Sequence, residues 1–152
     1  MNKQLPFVFN DGGRAAAGFK GKANDCVARA IAIAAQRPYA EIYSRLAAGA
    51  DTQRVTAKTA ARHTKRSAAH GILTGRKWFA DYMAELGFAW FPTMAVGQGC
   101  QTHLAAGEIP NGRIIVSVSK HYAAVLDGVI HDTFDPGRAG TRCVYGYWRL
   151  MR

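Results

Sequence analysis

Apolar residues recur at helical spacing in the first half of the chain and at strand spacing in the second. Val27, Ala30, Ile31 and Ala34 fall on one face of a run from Cys26 to about Gln36, which predicts a helix. Asn24 or Asp25 is placed to cap it. Pro38 fits the first turn of a second helix, Tyr39 to Ala48, striped by Ile42, Tyr43 and Leu46 and ended by Gly49. Trp78, Phe79, Tyr82, Met83 and Leu86 mark a third, with Gly87 as its stop.

The pattern changes after residue 87. Phe88–Pro92 reads as a strand, and Met94–Pro110, with four Gly/Pro residues and no periodicity, as a long loop. Arg113–Ser119, RIIVSVS, reads as a strand. His121–Leu126 and Val129–Phe134 flank Asp127-Gly128, a two-residue hairpin signal. Arg142–Leu150 is a last strand, while residues 1–23, rich in Gly, Ala and Lys, read as an extended lead-in. Helices followed by antiparallel strands predict an α+β fold, with N-terminal helices packed on a C-terminal antiparallel sheet. The length of 152 residues suits a single domain over 1–152.

Composition adds little: 49% hydrophobic and 20% charged residues are ordinary for a globular chain. No apolar run approaches a membrane span, and the N-terminus lacks the apolar core of a signal peptide. These features predict a cytoplasmic protein with no membrane partner, whose thiols stay reduced. The three cysteines, Cys26, Cys100 and Cys143, are odd in number and widely spaced, which argues against a disulfide framework.

Charge changes the picture more. The net charge is +10, and Arg54 to Lys77 holds seven Lys/Arg and no acid. A basic segment centred on Arg62, Lys65 and Arg66 suits nucleic acid or an acidic protein as partner. The plainer reading, a solvated basic loop, is preferred, because the segment lacks the interleaved aromatics that stack on bases.

The candidate chemistry lies elsewhere. Cys26 opens the first helix, where free backbone N–H groups and the helix dipole favour an anion, and the thiolate is the reactive form of cysteine. The plain alternative is a buried small hydrophobe. In the hairpin, a two-residue turn sets Leu126 opposite Val129 and His121 opposite Phe134. His121, Ala123 and Val125 then share a face with Ile130, Asp132 and Phe134. Asp132 is diagonal to His121 on that face, whereas Asp135 falls on the other. Cys26, His121 and Asp132 thus supply a nucleophile, a base and an orienter, with Asp135 as runner-up for the last role. The backbone N–H of Cys26 and the Asn24 amide are candidate oxyanion donors. His131 points away from His121 in this register. Cys100-Gln-Thr-His103 has a spacing a metal could use, with His121 or Cys143 to complete it, but a second close Cys/His pair is missing. No phosphate-binding glycine loop is present, and no metal or cofactor is predicted.

Asn24-Asp25-Cys26 before an Ala-rich helix, with His121-Tyr122 and Asp135-Pro136, resembles the papain-like bacteriocin-processing peptidase domains. The resemblance covers these motif segments and the order of elements. It implies a papain-like fold and a cysteine peptidase-like hydrolase or acyl transferase acting on a peptide or isopeptide bond. It also points to Asp135 as orienter, where the hairpin geometry prefers Asp132. The chain departs from that family at Lys20, which stands where the family has the Gln of its oxyanion hole. A non-catalytic papain-like scaffold, binding nucleic acid or an acidic host protein through residues 54–77, is therefore the second reading. The second half, with GQGC, HDTFDP and RCVYGYW, also resembles small phage and prophage proteins, which implies a bacterial or phage-infected host cell.

Overall fold

The computed structural model describes residues 3–20, 25–52 and 72–151. Three helices, α1 (Cys26–Ala35), α2 (Tyr39–Thr52) and α3 (Lys77–Leu86), pack on a six-stranded mixed sheet. Its strands are β1 (Phe7–Phe9), β2 (Phe88–Pro92), β3 (Arg113–Val118), β4 (His121–Leu126), β5 (Val129–Asp132) and β6 (Gly146–Leu150), in the spatial order β1-β5-β4-β3-β6-β2. The coarse α+β expectation holds, but the sheet is not purely antiparallel, because β1 runs parallel to β5. That strand comes from the segment read as an extended lead-in. Its three residues are too few for alternation to register, and its partner lies more than a hundred residues away.

α1 lies against β4 and β3 and is buried from Val27 to Ala34. The expected single apolar face is thus too narrow: the sheet covers one side and α2 another, so the whole helix is apolar apart from Arg29. Val27, Ile31, Ile42, Leu46, Phe79 and Met83 meet Ile115, Tyr122 and Trp148 in one core cluster. Ile114, Val116, Val125 and Ile130 form a second with Leu5, Leu104, Ile109 and Val144, so the pleat sends alternate residues of β3 into different clusters. Gly87 adopts a left-handed conformation (φ 101°) and ends α3 as expected.

Gly49 does not end α2, which continues to Thr52. The glycine instead lets the helix approach α3: a Cβ there would run into the indole of Trp78. The last strand is also shorter than expected, beginning at Gly146. Its lead-in pairs instead with the 94–110 loop, through a His103–Cys143 bridge, Leu104 N–H to Arg142 O at 2.8 Å and Val144 N–H to Thr102 O at 2.8 Å. This pairing brings Cys100 and Cys143 into a disulfide with Cα atoms 5.9 Å apart. It overturns the expectation that no cysteines pair: the spacing was uninformative because strand pairing, not sequence proximity, joins them. Among the described residues no helix is long and apolar enough to cross a membrane.

Candidate active site

Three elements converge at one end of the sheet. Cys26 is the first residue of α1, half-buried and free of any disulfide. His121 opens β4 after a tight turn in which Lys120 has a φ of 56°. Asp132 closes β5 and is 3% exposed. The hairpin pairs Leu126 with Val129, Val125 with Ile130 and Ala124 with His131. With that register His121 Nε2 and Asp132 Oδ2 lie 2.6 Å apart, and the Phe134 ring stands 5.0 Å from the imidazole. The other Asp132 oxygen accepts from the Thr133 N–H at 2.7 Å and from Arg29 Nη2 at 3.4 Å.

Burial, the strongest single influence on the His121 ring, favours its neutral form. The hydrogen bond to Asp132 and the neighbouring Cys26 sulfur, each favouring the imidazolium most when ionised, outweigh it, and the pKa is raised to about 9. His131 lies on the other side of β5, 3.3 Å from the Asn10 amide, and burial lowers its pKa.

Asp135 is exposed and shapes a turn: its Oδ1 accepts from the Gly137 N–H at 2.8 Å and its Oδ2 from Gln4 at 3.3 Å. Lys20 is exposed, and its backbone carbonyl accepts from Arg14 Nη2 at 3.1 Å. Asn24, Arg62, Lys65 and Arg66 lie outside the described residues. The Cys100/His103 pair serves structure, since Cys100 is in the disulfide and His103 Nδ1 meets Glu108 at 3.2 Å. Among the described residues no group of three or more His, Cys, Asp or Glu is placed to hold a metal ion.

Sequence reasoning missed the buried charges behind the site. Asp25 precedes α1 but does not cap it with its side chain. Its carboxylate is taken by Arg29, by the Tyr39 hydroxyl at 2.6 Å and by Arg14 at 3.4 Å. Charge-assisted bonds of this kind outcompete a cap. The available signal was the lone Arg29 in an Ala/Ile helix, four residues after Asp25 and so on the same face.

Comparison with known proteins finds no matching family model, no matching curated protein and no matching solved structure. The fold and site define the chain as a small α+β protein with N-terminal helices packed on a C-terminal sheet and a free, half-buried cysteine at a helix start.

Proposed function

We propose that this protein is a papain-like thiol hydrolase or acyl transferase acting on a peptide, isopeptide or related acyl bond. The observation that carries the reading is His121, a buried ring held at Nε2 by Asp132 and raised in pKa by Cys26 as well. With Nε2 committed, Nδ1 is the nitrogen left to exchange a proton with the thiol. His121 holds the Cys26 proton in an ion pair, and the thiolate sulfur attacks the carbonyl carbon. Asp132 holds the ring in one orientation throughout. His121 returns the proton to the leaving amine, and water or a second nucleophile then resolves the thioester, restoring the thiol. The Cys26 N–H at the helix start is the oxyanion donor of choice. The exposed Phe134 beside His121 suits an apolar side chain next to the scissile bond.

The pH dependence of Cys26 alkylation, read by mass spectrometry, tests this. Cys26 should react near pH 6 about tenfold faster than the same residue in His121→Ala. An unchanged rate in His121→Ala sinks the hydrolase reading.

The second reading is a non-catalytic scaffold of the same kind, favoured by Lys20 in place of the family Gln and by the uninterrupted basic charge of residues 54–77. It expects binding to nucleic acid or an acidic protein that weakens steeply with salt. Such binding should survive Cys26→Ala and be lost on charge reversal of Arg62, Lys65 and Arg66.

A further inference from the structure

Behind His121 runs a buried chain of alternating charge. Tyr39 and Arg14 hold Asp25, Asp25 pairs with Arg29 Nη1, Arg29 Nη2 lies 3.4 Å from Asp132 Oδ1, and Asp132 Oδ2 lies 2.6 Å from His121 Nε2. The side chains of Asp25, Arg29, Asp132 and His121 are 1%, 11%, 3% and 9% exposed. Asp132 therefore has a cation on each oxygen, one that titrates and one that does not.

We propose that Arg29 is a positioning residue for His121, clamping Asp132 from behind and balancing its charge whenever the ring is neutral. The inference rests on the reading of His121 as base and Asp132 as orienter. In the proposed reaction His121 alternates between imidazolium and imidazole. Each time it loses its proton, a buried Asp132 would stand as an uncompensated anion, which a low-dielectric site does not tolerate. The fixed guanidinium removes that cost, so the ring can release its proton while Asp132 stays an acceptor. Arginine suits this place because its planar fork spans two carboxylates at once and never deprotonates. Asp25, in turn, keeps Arg29 from adding a net positive charge beside the imidazolium.

Among the described residues, Cys26 at the start of α1 and Asp132 on β5 act on the ring directly, while Arg29 stands behind Asp132 and Asp25 behind Arg29. Next to it in sequence come Lys120 in the preceding turn and Ser119, whose carbonyl accepts from Arg142 Nη2 at 2.6 Å. Arg29 and Asp25 have opposite charges, so their removal should move His121 in opposite directions.

The test is the titration midpoint of His121, read by NMR on histidine-labelled full-length protein and assigned with His121→Gln. Arg29→Gln should raise the midpoint by about one unit. Arg29→Lys, which keeps the charge, should restore it to near the wild-type value. Asp25→Asn should lower it. A purely structural Arg29 would reduce stability and leave the midpoint in place, so an unchanged midpoint in folded Arg29→Gln overturns the proposal. Should Arg29→Gln not fold, Asp25→Asn decides: a midpoint that rises or stays put overturns it equally. No substrate is needed, so a chain with no hydrolase activity would still answer, and the two ideas fail separately.

Discussion

Among the described residues, His121 is a titrating group whose proton is held by its neighbours Cys26 and Asp132. Its pKa is raised from 6.5 to about 9, so the folded protein holds a proton that the unfolded chain gives up earlier. A raised value of this kind stabilises fully below pH 6.5, and the contribution is lost as pH rises through about 9. The shift corresponds to about 3 kcal/mol at most. Urea unfolding at pH 6 and at pH 9.5 should therefore differ by up to that amount, with the more alkaline sample weaker. Asp132→Asn removes the hydrogen-bonding anion and should flatten the difference; an equally steep loss in that variant would place the titrating group elsewhere. The pairing of His121 with an acid was legible in the sequence, because a two-residue turn sets side-chain parity along both strands. Arg29 was not legible as a partner of that acid. Its contact with Asp132 depends on where α1 lies on the sheet, which no local pattern encodes.

Among elements, α1, α3 and the hairpin were readable because each carries a local signal: a helical period in α1, a period with a glycine stop in α3, and the Asp127-Gly128 turn in the hairpin. β1 and the end of α2 were not. The three residues of β1 carry no burial pattern, being exposed throughout, and they are placed only by pairing with β5. Gly49 looked like a helix stop but serves close packing between α2 and α3. Alanine at a mid-helix glycine ordinarily gains about 0.5–1 kcal/mol. Here the new methyl would collide with the Trp78 indole, and overpacking costs about 1–3 kcal/mol. The collision should win. Gly49→Ala is expected to lower unfolding stability by about 1–2 kcal/mol, and Trp78→Leu in the same chain should recover part of it. Gly146 repeats the device on the sheet, where Trp90 of the edge strand β2 lies across it and meets Trp148 with ring centroids 5.2 Å apart. The aromatics at 90, 91, 147 and 148 pack as cross-strand pairs.

At the scale of the whole molecule, the sheet divides two clusters, and the segment from 100 to 143 closes one of them. Leu104, Ile109 and Val144 cover the side of β3 and β4 from which Ile114, Val116 and Val125 project. The Cys100–Cys143 disulfide ties the two ends of that cover together. Removing a cross-link of this loop length typically costs about 2–4 kcal/mol. Cys143→Ser should lower the unfolding midpoint in urea accordingly, and reductant should do the same to wild type while leaving Cys143→Ser unmoved. An unchanged wild-type midpoint under reductant would mean that the cross-link carries no stability. This tie was not legible from cysteine spacing, since the partners sit 43 positions apart and meet through the pairing at the His103 bridge.

That cross-link has a consequence for the integrity of the chain. β3, β4 and β5 all lie between its two ends, so His121 and Asp132 sit inside a covalent ring while Cys26 sits outside it. A single backbone cut anywhere from 101 to 142 leaves both pieces fastened to each other. A nicked molecule would therefore keep its full mass on a non-reducing gel and separate into two bands only once the sulfur bridge is opened.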